Sequence, residues 1–137
     1  MRTFLFLFFT TFIALSVSAQ DRKQDDIDIE YNKCVVKDSA CPNVSDCAFR
    51  AYAAWEKQMK DEYDRLLREL KKEDDKLALK QAQEAWLAYR DATFTSYDFM
   101  FDIPGNKWCL QRHEDRIGLV RDRALQLRSY YELLRKK

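Results

Sequence analysis

The residues of this 137-residue chain with the types to do chemistry are four cysteines, one histidine and an adjacent arginine–aspartate pair. Cys34, Cys41, Cys47 and Cys109 could close two disulfides, in any of three pairings, or hold a zinc ion with His113. Zinc is the weaker reading, because there is no CxxC and His113 lies only four residues after Cys109. The arginine–aspartate pair ends the stretch QAQEAWLAYRD, Gln81 to Asp91. There Gln83, Trp86 and Arg90 fall at i, i+3 and i+7 on one helix face, while the neighbours Arg90 and Asp91 point apart. Each of the two is therefore expected to cross to another helix, and Trp86 and Tyr89 to fill the core. No catalytic constellation assembles: HExxH and a glycine-rich phosphate loop are absent, and the whole chain has two glycines. His113 lies on an apolar stripe and reads as a structural histidine. Met59 and Met100 read as core filler, so neither an enzyme nor a cofactor is expected.

The elements that must position these residues are helical. Phe49, Tyr52, Met59, Tyr63, Leu66 and Leu70 recur at spacings of three, four and seven, which predicts a helix over 46–72 with Ser45 as its N-cap. The charged run Lys71 to Asp75 reads as a tight turn, capped by Asp74 or Asp75. Leu79, Ala82, Trp86, Tyr89, Thr93, Ser96 and Met100 then form a second stripe. One helix over 46–101 would be about 80 Å long, too long for so small a domain to bury, so a hairpin is preferred. After the turn Ile103-Pro104-Gly105-Asn106, residues Leu110, His113, Ile117, Val120, Ala124, Leu127, Tyr131 and Leu134 predict a helix over 108–135. Period-2 runs are absent. The expected fold is all-α: three long antiparallel helices in a small disulfide-tied bundle. Such a course brings all four cysteines to one pole.

The N-terminal residues read as an export signal: Arg2, an apolar run from Phe4 to Leu15, and small residues ending at Ala19. Residues 1–19 are thus expected to be a cleaved signal peptide. Residues 20–44 read as an acidic, cysteine-containing leader, flexible as far as Lys33, and residues 45–137 as the helical domain. The run is too short to span a bilayer comfortably, so no stable membrane insertion is expected after cleavage. The sequence carries 24 basic and 23 acidic side chains, a balance that argues against nucleic acid as a partner. Export and an even cysteine count predict a periplasmic or secreted protein with two disulfides.

Cys47, Tyr63, the series Gln83, Trp86, Tyr89, Arg90 and Asp91, and then Cys109 with Arg116 together resemble the LprI-type lysozyme-inhibitor N-terminal domain family. The resemblance covers about residues 47–128. Against that family this chain has Phe94 where a cysteine is usual, Met59-Lys60 where Leu-Asn is usual, and His113 to Arg116 where Thr-x-x-Arg is usual. The missing cysteine implies that Cys109 pairs with Cys34 or Cys41 instead. The resemblance implies an exported binding protein that occludes a lysozyme or another peptidoglycan hydrolase, with a lysozyme-like hydrolase as its protein partner. An immunity or envelope-partner protein that binds a cognate toxin is the alternative, and a structural envelope module is a third. Lysozymes are generally cationic, which makes the acidic leader or the acid-rich helix pair the expected docking surface. The signature residues themselves read as structural.

Overall fold

The computed structural model describes residues 25–37, 40–104 and 106–136. The expected signal peptide, residues 1–19, and the first residues of the leader lie outside that range. Four helices make up the described residues: α1 (Asp26–Lys37), α2 (Cys41–Glu69), α3 (Glu73–Met100) and α4 (Asn106–Arg135). There is no strand among the described residues. The all-α class stands, but the count of three helices is corrected to four.

The additional helix, α1, falls inside the stretch read as a leader, and most of it in the part expected to be flexible, up to Lys33. Its acids looked like solvated charge, yet two of them are used inward. Asp25 Oδ1 accepts the Ile27 backbone N–H at 3.2 Å, an N-cap bond for the first turn. Asp28 Oδ1 accepts the indole N–H of Trp55 at 3.0 Å. Arg121 and Arg128 on α4 reach Asp28 and Asp25 at 3.4 and 3.5 Å. Tyr31, the buried residue of this helix, packs into the core with Ile27, Cys34 and Val35 beside it. Burial, helped by the charge of Glu114, pushes the Tyr31 hydroxyl up to about 12.

The core lies between α2 and α4. From α2 it takes Val44, Ala48, Ala51, Trp55, Met59 and Leu66; from α4, Ile117, Val120, Ala124 and Leu127. Trp55 is fully buried. Covering an aromatic surface of that size contributes about 4–6 kcal/mol, an upper bound set by the extended-chain reference. The stripe expected on α2 included Phe49, and this is corrected: Phe49 is 71% exposed, because Trp55 sets the phase of the helix. Ser45 is likewise not a cap. Helix α2 begins at Cys41 with a proline in its first turn, and Ser45 Oγ donates to the Cys41 carbonyl within the helix.

Cross-helix contacts fix the directions. Ser45 meets His113, Cys41 meets Cys109 and Glu62 meets Arg128, with sequence separations of 68, 68 and 66, so α2 and α4 run parallel and in register. Helices α1 and α3 run antiparallel to this pair and occupy its two flanks. At the reversal between α2 and α3, Leu70 and Lys72 are in extended conformation. Glu73, Asp74 and Asp75 then fill the first turn of α3, where negative charge complements the helix dipole. Lys72 holds the cap position that had been expected for Asp74 or Asp75, without a side-chain bond.

Candidate functional site

The start of α2, the end of α3 and the start of α4 converge at one pole, and both disulfides are there. Cys34–Cys47 ties α1 to α2, and Cys41–Cys109 ties α2 to α4. No cysteine is left free. Just inside this pole a cleft of about 530 Å³ opens between α2, α3 and α4. Ala48 and Ile117, both buried, form its base; Phe49, Tyr52 and Phe94 stand along it, with Ser45, Asp46, His113 and Arg116 as its polar groups.

The pairing of a serine with a histidine in a cleft raises nucleophilic catalysis, and the bond directions argue against it. Ser45 Oγ gives its one proton to the Cys41 carbonyl oxygen at 2.9 Å. His113 Nε2, 3.0 Å from the same oxygen, must therefore donate to it, the reverse of a base that takes the serine proton. Burial first, then the charges of Arg112 and Arg116, lower the His113 pKa and keep the ring neutral. No group of three or more metal-ligating side chains occurs among the described residues.

Above the cleft, α3 is held by alternating arginines and aromatic rings. Arg90 pairs with Glu56 of α2 at 2.7 Å and lies 5.8 Å from the Trp86 ring and 6.0 Å from the Phe94 ring. Arg123 of α4 also lies over the Trp86 ring, at 5.8 Å, and gives two hydrogen bonds to Gln83 Oε1, at 3.0 and 2.9 Å. Arg116 of α4 lies 5.1 Å from the Phe94 ring and binds both oxygens of Asp98. Phe94 also meets Tyr52 edge to face, and the Tyr52 hydroxyl donates to Glu56 at 2.6 Å. Burial and this bond to Glu56 raise the Tyr52 pKa.

A protein family described as "Lysozyme inhibitor LprI" matches residues 34–127, more than half of the chain. The chain belongs to the LprI family. No curated protein and no solved structure matches it. The stretch shared with the LprI family runs from the last turns of α1 to Leu127 of α4, and so includes both disulfides, the cleft and the arginine–aromatic array.

Within this LprI frame the sequence-derived residues separate into groups. Gln83, Trp86 and Arg90 do share the inward face of α3, and Gln83 is the buried residue of that helix. Cys109 takes Cys41, one of the two partners left open for it. Tyr63 is half-buried against the core, away from the cleft. Two expectations are corrected. Tyr89 does not fill the core; it is 58% exposed. Asp91 does not cross to another helix; its carboxylate takes the guanidinium of its neighbour Arg90 at 2.7 Å. Of the signature set, only Arg116 lines the cleft. Sequence reasoning missed the cleft residues Asp46, Phe49, Tyr52 and Phe94 as a group. The available signal was Ser45, Phe49 and Tyr52 at i, i+4 and i+7, a face that carries two large rings without the small residues of a packed seam.

Proposed function

We propose that this protein is an exported, non-enzymatic inhibitor of a lysozyme or a related peptidoglycan hydrolase, acting by occluding the enzyme's substrate cleft. The family match over residues 34–127 carries this reading. Two features support it. The Ser45–His113 pair has the bond directions of a structural contact, and four cysteines all engaged in disulfides suit an oxidising compartment outside the cytoplasm. In this reading residues 1–19 are removed on export and the chain starts at Gln20, ahead of α1. The signature residues Gln83, Trp86, Arg90 and Arg116 brace α3 and shape the scaffold, while other residues make the contacts to the enzyme.

The test is a turbidity assay. Mature protein with both disulfides formed is added to several lysozymes of different structural classes acting on bacterial cell walls. Slower clearing of at least one enzyme near equimolar ratio is the expected result. Unchanged clearing of every enzyme at large molar excess would overturn the reading.

A further inference from the structure

We infer that the cleft between α2, α3 and α4 is a receptor for one basic side chain, an arginine or a lysine presented by the target enzyme. The inference rests on the inhibitor reading above for the partner's identity, and on the cleft itself for the chemistry.

The lining has the composition of a cation site. Phe49 is 71% exposed at the cleft, an unusual place for a large ring in so small a domain. Tyr52 stands one turn further along the same helix. The protein's own arginines already use the aromatic faces nearby: Arg116 and Arg90 both lie on Phe94, and Arg90 and Arg123 on Trp86. Among the described residues no cation lies over Phe49 or Tyr52, which leaves two rings available to a guest.

Charge points the same way. Arg116 is the cation of the lining, and it is held through both oxygens of Asp98 at 2.7 and 2.8 Å, a carboxylate that also stands 3.8 Å from Arg112. His113 is held neutral by burial and its arginine neighbours. Asp46 remains, exposed at the cleft with no ion-pair or hydrogen-bond partner among the described residues. The unpaired charge that a guest meets in the lining is therefore the Asp46 carboxylate, which sits within one helical turn of Phe49. A volume of about 530 Å³ accommodates a long basic side chain and its ordered water. A cationic hydrolase is complementary to this arrangement, and seating one of its basic side chains would anchor the complex.

The experiment uses the full mature chain. Binding to a c-type lysozyme is measured for wild type, D46K, F49A and the control D75K, which makes the same charge change on an exposed acid of the far pole. Asp46, Phe49 and Asp75 are all exposed, and thermal melts verify that each variant folds. In parallel, arginine ethyl ester is titrated at millimolar concentration into isotope-labelled wild type, with amide shifts as the readout. Support consists of weakening by about tenfold in D46K and F49A, at most a small change in D75K, and ester-induced shifts at Asp46, Phe49 and Tyr52. Wild-type binding to lysozyme that D46K and F49A leave intact overturns the pocket while the inhibitor reading stands. A wild type that ignores every lysozyme yet shows the ester shifts supports the pocket while the inhibitor reading falls. Absence of ester shifts overturns it, as do shifts at these residues with tri-N-acetylglucosamine alone, which would make the cleft a glycan site.

Discussion

His113 shows at the residue scale how burial turns into a pH response. Its folded pKa lies below the ordinary 6.5, through burial and the nearby charges of Arg112 and Arg116. Below that ordinary value the unfolded chain takes up a proton that the folded ring resists, so the unfolded state binds more protons and stability rises with pH. The contribution is complete above 6.5 and is lost as pH falls from there toward the folded value. Urea midpoints measured at pH 7.5 and 5.5 should therefore fall for wild type, and fall less for His113→Gln, which keeps a donor for Ser45. Equal losses in both proteins would remove His113 as the cause. The place of this histidine on the inward stripe of α4 was legible from the three-and-four spacing. Its partner was not: Ser45 is 68 residues away, and a spacing of that kind has no local signature. The Arg90–Asp91 contact was misread for a different reason. Backbone geometry separates adjacent side chains, but a four-bond stem can return the guanidinium to its neighbour.

At the element scale, α4 and α3 are opposite cases. The α4 stripe was read correctly because small and branched residues at Ile117, Val120, Ala124 and Leu127 allow close contact with α2. Helix α3 stands further off, with Gln83 as its buried residue, and polar and aromatic side chains fill the gap. Leu79 and Trp86 of its apparent stripe pack against the core while Tyr89 and Met100 of the same stripe face solvent, since a helix held by arginines need not present every apolar residue inward. Helix α1 was missed because its inward acids are neutralised by Arg121 and Arg128, residues more than 90 positions away in the case of Asp28. If Arg90 and its rings fasten α3, Arg90→Ala should cost about 1–2 kcal/mol, lowering the melting temperature by roughly 5–10 °C. The exposed Tyr89→Ala should stay within about 0.5 kcal/mol. Both are read by thermal unfolding, alongside the lysis assay. An Arg90→Ala protein that melts like wild type but no longer inhibits would make this array a contact surface instead of a brace.

For the whole molecule, the two disulfides make unequal contributions that follow from chain topology. Three long helices running up, down and up must bring the starts of α2 and α4 together, so a cysteine pole could be foreseen without knowing the pairing. The cleft beside that pole could not, because its volume depends on the rotational phase of three helices at once. Cys41–Cys109 joins the parallel α2 and α4 across 68 residues, whereas Cys34–Cys47 spans 13 and holds α1 alone. In the chain-entropy account the longer loop gives up more freedom when the unfolded chain is cross-linked, by about 1.5 kcal/mol more than the shorter one. Replacing Cys41 and Cys109 with serine should thus destabilise by about 4.5 kcal/mol, and replacing Cys34 and Cys47 by about 3 kcal/mol, before native-state strain and residual structure are counted. Urea unfolding of both double variants measures the difference. The reverse order would mean that the docking of α1, through Asp28 on the fully buried Trp55, depends on its disulfide more than the α2–α4 seam depends on its own. The cleft adds a second readout. Its base is the seam itself, at Ala48 and Ile117, so loss of Cys41–Cys109 should loosen the cleft and weaken inhibition even where the variant remains folded. Loss of Cys34–Cys47, on the opposite flank of the α2–α4 pair, should leave inhibition intact as long as the protein is folded.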